Sequence, residues 1–184
     1  MTFIDLDEYL MPTKPFESIS DICNQLILNA SKGAVGIGVN WAIYGSSHHE
    51  KKPQGLITEN YIYRGENSHW ANFHIKTICN PRMVKDYISP HYPLYKLGGY
   101  SISESTGERL YGWFCHTVEY KNMRINHYFT KSKEEFIQKM NRGLGDRLGK
   151  YDMDMFSTYN LNDIQDKSMA IYVEQMKKVL YEND

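Results

Sequence analysis

Apolar side chains recur at Ile19, Ile22, Cys23, Leu26 and Ile27, three and four residues apart, which is the spacing of one helix face. Ser18 with Asp21 resembles a capping box just ahead of that stripe, and Gly33 supplies a stop, so the pattern predicts a helix. The run AVGIGVNWAIYG is nearly continuous in apolar residues and contains Gly36 and Gly38, which weaken a helix. Ala34 to Tyr44 therefore reads as a buried strand. The polar stretch GSSHHEKKPQG that follows is a loop. Further short strands are predicted at Leu56 to Tyr63, at Phe73 to Cys79, and on both sides of the turn-prone STGE at Ser105 to Glu108. MRINHYFT reads as a last strand. It runs into a helix capped by Ser132 and Glu135, with Phe136 and Met140 on one face and Gly143 at its end. Met169, Tyr172, Val173, Met176 and Leu180 mark a C-terminal amphipathic helix.

The chain opens MTFIDLDEYLMP. Phe3 and Ile4 are predicted to end a strand that releases Asp5, Asp7 and Glu8 into a loop, which Pro12 and Pro15 keep from becoming helix. The carboxylates are then expected at a strand's C-terminal end. Three carboxylates this close repel one another unless something positive lies between them. No repeat, low-complexity stretch or linker divides the chain. One α/β domain is expected over residues 1–184, with 151–184 as a C-terminal helical extension.

Charge removes some functions. Lys and Arg number 21 against 22 Asp and Glu, a net charge of -1, so no broad basic field is available for nucleic acid or anionic lipid. Cys23, Cys79 and Cys115 are widely spaced with no CxxC pair, which points away from zinc and toward a reducing compartment. No apolar run approaches the roughly 18 to 20 residues that span a bilayer, and no basic then apolar leader follows Met1. A cytoplasmic location is expected, free or peripheral at a membrane. The 15 Tyr, seven Phe and three Trp suit surfaces that stack against partly polar ligands, although aromatic residues most often pack cores.

Alone, Asp5-Leu6-Asp7 reads as a solvated acidic loop. The alternative is a divalent-metal site, because alternate carboxylates at a strand end project toward one cleft and a hard cation takes oxygen ligands while leaving positions for a diphosphate. Support comes from RINHYFTKSKEEF. There His127 sits near the end of an apolar strand and just before a helix N-terminus, whose N–H groups attract phosphate. Lys131 and Lys133 add positive charge beside it.

FIDLDEYLMP, NWAIYGSSHHEKKPQGL, HIKTICNP, PHY and INHYFTKSKEEF, in this order, resemble glycosyltransferases of the family 2 and family 92 type with a GT-A fold, over about Phe3 to Gly143. The resemblance implies a metal-dependent transferase using a nucleotide-activated hexose, UDP-hexose above all, and a glycan or other hydroxyl acceptor. Asp5 and Asp7 take the place of the family's DxD, and His48 stands where the family usually has glycine. Mn²⁺ or Mg²⁺ held by Asp7 and His127 would stabilise the departing diphosphate. Asp5 would orient the donor's ribose or sugar, Lys131 would assist the leaving group, and Trp41 would stack on a sugar face. Inversion needs a general base, for which Glu50 and His49 are the candidates.

The same resemblance implies a partial GT-A mixed sheet with flanking helices. Only four residues precede Asp5, so the N-terminal Rossmann-like half is expected to be absent and the isolated chain to be inactive as a fragment. A sheet edge at Phe3 and Ile4 would then invite self-association. Two rival readings are a non-catalytic binding remnant and a haloacid-dehalogenase-like phosphatase. The phosphatase's nucleophilic DxD also follows an apolar strand, but Tyr9 stands where it needs a small residue, and Gly145-Asp146 follows a polar stretch.

Overall fold

The structure is a computed structural model that describes residues 1–143 and 150–181. In chain order its first elements are β1 (Glu8–Pro12), α1 (Ile19–Asn29), β2 (Ala34–Ile43), α2 (Ile57–Asn60), β3 (Tyr63–Arg64), β4 (Ile75–Cys79) and β5 (Val84–Ser89). They are followed by β6 (Tyr92–Tyr95), β7 (Tyr100–Ser103), β8 (Met123–His127), α3 (Lys133–Arg142), α4 (Met153–Tyr159), β9 (Ile164–Gln165) and α5 (Ala170–Tyr181). The chain is mixed α/β. It divides into two compact units, Met1–Ala42 with Asn67–His127, and Ile43–Glu66 with Tyr128–Asp184.

The first unit is built on a mixed five-stranded sheet in the order β1-β8-β2-β4, with β7 also paired to β2. β1 runs antiparallel to β8, which sets Glu8 opposite His127 and Pro12 opposite Met123. β2 is antiparallel to β4 and parallel to β7, with an irregularity between Ala34 and Gly36. β2 lies inside the sheet and buries Ile37, Val39, Trp41 and Ala42 together with the polar Asn40. Gly38 fits because a Cβ there would strike the Leu110 side chain and lie 2.7 Å from Ile75 Cδ1. The buried carboxylate of Glu104 accepts from the backbone N–H groups of Asn122 (2.8 Å) and Met123 (3.2 Å), which fixes the start of β8. Ser18 caps α1 by accepting from Asp21 N at 3.3 Å, as its sequence predicts.

In the second unit, Ser132 caps α3. Its Oγ accepts from Glu135 N at 3.2 Å, and Gly143 ends the helix. Phe136 is buried against the rings of Phe129, Phe156 and Tyr151. The Tyr61 hydroxyl hydrogen-bonds to the Glu135 carboxylate and accepts from Ser132 N at 3.0 Å, which ties the chain just after α2 to the N-terminus of α3. α5 forms as its stripe predicts, with Val173 buried. It meets α2 through Lys177 Nζ and Glu59 Oε1 at 2.9 Å.

Several expectations are corrected. Phe3 and Ile4 are not in a strand: the chain start is tied to β4 by Met1 N to Cys79 O and Cys79 N to Met1 O, both 2.8 Å, and then turns. Asp5 and Asp7 therefore precede a strand, β1, which Glu8 opens, instead of following one, and β1 itself is a sheet edge in place of the one expected at Phe3 and Ile4. The apolar strand that a haloacid-dehalogenase-like site requires before Asp5 is not formed. Leu56 to Tyr63 is a turn of helix with only Tyr63 in a strand, because the Asn60 amide bonds Gln54 O (2.8 Å) and Leu56 O (2.9 Å) and curls the segment. The β5–β6 hairpin and β9 were not predicted, so MRINHYFT is not the last strand. After STGE no named strand forms before β8 among the described residues, only isolated bridges of Arg109 to Ile102 and of Phe114 to His74. Gly145 and Asp146 lie outside the described residues. Among the described residues no helix is long and apolar enough to cross a membrane.

Candidate functional site

Residues 5 to 8 form a tight turn into β1. Glu8 N donates to Asp5 O at 3.0 Å, and the Glu8 carboxylate reaches back to accept from Asp5 N at 2.9 Å. The turn sends its carboxylates in different directions. Asp5 Oδ2 lies 3.0 Å from Lys76 Nζ, and Glu8 Oε2 lies 3.4 Å from the same nitrogen. Lys76, in the middle of β4, is thus the positive charge that allows the cluster to exist. Asp7 turns instead to His127 at the end of β8, with Oδ1 3.5 Å from Nε2. On the other side of that imidazole, Nδ1 stands 4.0 Å from Glu8 Oε1. Burial raises the Glu8 carboxyl above its ordinary range, against the opposing pull of His127 and Lys76.

Trp41 forms the wall beside His127. Its ring centroid lies 4.4 Å from that of His127, 4.8 Å from stacked His74 and 5.2 Å from His91. Trp41 Nε1 is buried and makes no hydrogen bond among the described residues. His74 and His91 are fixed by Nδ1–H donors to Ala71 O (3.1 Å) and Ile75 O (2.8 Å). Burial lowers His74 from its ordinary value and pushes His91 down to about 4. Burial thus biases both rings toward the neutral form.

The Asp7–His127 pair fits a shared cation in part. Neighbouring ligands about 2.1 Å from an octahedral ion such as Mg²⁺ stand about 3.0 Å apart, so Asp7 and His127, at 3.5 Å, would have to close by about 0.5 Å to share one. Among the described residues no group of three or more His, Cys, Asp or Glu is placed to hold a metal. Two protein ligands suffice for an ion such as Mg²⁺ that also takes waters and substrate phosphates. Asp5, tied to Lys76, is not placed as a third.

The family model of glycosyltransferase family 92 matches residues 1–167, a span that includes the acidic turn, β2, β4, β8 and α3. The chain belongs to glycosyltransferase family 92. Comparison with curated protein sequences finds no match. Family 92 membership makes glycosyl transfer, from a sugar donor to an acceptor, the chemistry to which this arrangement is to be related.

In this family 92 chain, Asp5, Asp7, Trp41 and His127 come together in the first unit, whereas His49, Glu50 and Lys131 belong to the second. His49 Nε2 donates to Asn60 O at 3.3 Å with its ring edge-on to Tyr61, while exposed Glu50 lies 3.7 Å from Lys133 Nζ. The N–H groups of α3 expected to attract phosphate are already used: Lys133 N donates to His49 O (3.3 Å), Glu134 N to Glu50 O (3.0 Å) and Glu135 N to Ser132 Oγ. What remains positive there is the side chains of Lys131 and Lys133. His48, at φ +65°, adopts the left-handed backbone that glycine would take more easily, and Ser47 and Lys131 do the same at +49° and +52°. Sequence reasoning missed Glu8, Lys76, His74 and His91 as members of the site. The available signal was a lysine set among the apolar residues of HIKTIC, which has to be matched by a carboxylate from elsewhere.

Proposed function

We propose that this chain provides the metal-binding side of a metal-dependent, inverting transfer of a hexose from a nucleotide-diphosphate donor, UDP-hexose above all, to a hydroxyl of a glycan acceptor, on a partial GT-A sheet that is not expected to turn over by itself. The observation that carries this reading is the approach of Asp7 and His127 at 3.5 Å in a family 92 chain. Asp7 and His127 would hold Mn²⁺ or Mg²⁺, which supplies positive charge to a leaving diphosphate. Lys76 sets one positive charge between the Asp5 and Glu8 carboxylates, while Asp7 turns to His127. Glu8 Oε1 stands 4.0 Å from His127 Nδ1, a charge contact on the far side of the imidazole from Asp7. Trp41 closes the wall and excludes water from the imidazole's face. Lys131 as an aid to the leaving group, and Glu50 or His49 as general base, are proposed on the family resemblance.

The test measures Mn²⁺ binding by calorimetry and nucleotide release from UDP-hexoses for the wild-type chain, Asp7→Ala and His127→Ala. Each substitution is expected to weaken Mn²⁺ binding by roughly 100-fold or more, beyond the ~10- to 100-fold of an outer-shell change, with circular dichroism unaltered. Wild-type Mn²⁺ affinity in both variants would remove the pair from the site.

A further inference from the structure

The first unit presents an aromatic surface that the reading above leaves unused. Trp70 is 48% exposed, Trp113 45% and Phe114 40%. They are linked through His74: its ring centroid lies 6.2 Å from Trp70 and 4.6 Å from Phe114, and Phe114 lies 6.2 Å from Trp113. The backbone beneath them is rigid. Ile75 N donates to Trp113 O at 3.1 Å, Cys115 N donates to Phe73 O at 2.8 Å, and the buried Asn40 amide bonds Cys115 O at 2.9 Å. Two indoles and a phenyl ring held open to water on a hydrogen-bonded frame are costly unless something covers them.

Three features narrow what does so. His74, which joins the exposed rings, stacks on the buried Trp41, and Trp41 meets the buried His127, so a chain of ring contacts links the platform to the Asp7–His127 pair. The imidazoles of His69 and His116, tilted or stacked beside Trp70 and Phe114, add polar edges to an otherwise apolar platform. Finally, the segments that carry the rings, Glu66–His74 and Leu110–Tyr120, contain Glu66 and Glu119 but no Lys or Arg. Arg109, whose guanidinium lies 5.2 Å over the Tyr111 ring, and Lys121 flank the second segment, well short of the cluster of roughly four to eight cations that holds an anionic membrane. A neutral ligand with an apolar face and a hydrogen-bonding rim fits all three.

We infer that Trp70, Phe114 and Trp113 form the acceptor-binding platform and take a neutral oligosaccharide of two or more pyranose residues by their C–H faces. The face of a pyranose that carries axial hydrogens is apolar and electropositive and matches the negative face of an indole, while its hydroxyls point outward to the imidazoles and to water. Trp70 at one contact of the His74 ring, and Phe114 with Trp113 at another, offer more than one stacking position. The inference rests on the glycosyl-transfer reading for the identity of the ligand, but not on the metal pair.

The experiment screens the full chain on an array of neutral oligosaccharides. Calorimetry on the strongest binder then follows for wild type, Trp70→Ala, Trp113→Ala, the double variant and the distant surface control Leu28→Ser. Both tryptophans are largely solvent-facing, and melting curves report whether each variant folds. Each tryptophan substitution is expected to weaken saccharide binding by roughly tenfold, the double variant more, and the control not at all, with Mn²⁺–UDP affinity measured separately on the same samples. Failure of the wild type to bind any neutral oligosaccharide, or wild-type affinity in the double variant, overturns the platform. Self-association of the wild type that disappears in the double variant, without saccharide binding, assigns the surface to a second copy and overturns it too. Loss of Mn²⁺–UDP binding with saccharide binding retained would sink the transferase reading alone.

Discussion

Lys76 Nζ lies 3.4 Å from Glu8 Oε2, and both side chains are sealed from solvent, at 1% and 0% exposure. Removing one member of a buried ion pair leaves the other charge in a low-dielectric interior, which typically costs about 3–5 kcal/mol. Lys76→Met is therefore expected to lower stability by that order in denaturant titrations at pH 7. Adding Glu8→Leu is expected to recover most of the loss, because an apolar pair of similar size has no charge to desolvate. Asp5 is largely exposed and keeps its hydration in either case. Equal stability of Lys76→Met and wild type would show that the pair carries none of the fold.

Stability should fall on the acid side through His91. Its folded value is about 4 against 6.5 for the free side chain, because burial disfavours the charged ring. As pH drops below 6.5 the unfolded chain takes up a proton that the folded chain refuses until about 4. Stability is thus full above 6.5 and declines between 6.5 and 4. Lys76, His74 and Asp5 all act on this ring, with Asp5 alone favouring its charge. In His91→Asn the slope of denaturation free energy against pH over that window should flatten. An unchanged slope would place the acid sensitivity elsewhere.

At the start of α3, two neighbours should separate packing from charge. Ser132→Ala removes the acceptor for Glu135 N in a fully buried position and should cost about 1–2 kcal/mol. Lys131→Ala should stay within about 0.5 kcal/mol of wild type. Thermal melts check the ranking, and the reverse order would mean that the cap is not what holds this helix.

Two glycines should respond differently to a methyl group. At Gly38 the new Cβ would meet the ends of the Leu110 and Ile75 side chains, which can rotate away in part. At Gly45 it would strike the Leu161 carbonyl oxygen and lie 2.7 Å from Asn162 Oδ1. Gly38→Ala is expected to cost about 1–3 kcal/mol as an overpacked core change, and Gly45→Ala more. Denaturant midpoints that place Gly38→Ala below Gly45→Ala would contradict the ordering.

What could be read in the chain was whatever its neighbours in sequence decide. α1 and α3 were legible because the Ser18 and Ser132 hydroxyls accept from backbone N–H groups three residues on, and β2 because its run of residues is apolar almost throughout. α2 was not legible, because its β-branched Ile57 and Thr58 favour a strand and its packing against α5 comes from far along the chain. Of the site, Asp5, Asp7 and His127 stood out as chemistry. The division of labour among the carboxylates did not, since it depends on β4 delivering Lys76 to one side of the turn and β8 delivering His127 to the other.

Asp7 and His127 also stand at the two ends of the first unit's stretch of chain, with the segment Ile43–Glu66 of the other unit translated between them. During synthesis β1 must wait, edge unpaired, while β2 to β7 emerge, and only β8 completes it. A ribosome halted anywhere before β8 would display an acidic turn with no histidine to face. The two residues on which the proposed chemistry depends are thus joined by one of the last pairings their unit can make, and a cell acquires the site only when that sheet is closed.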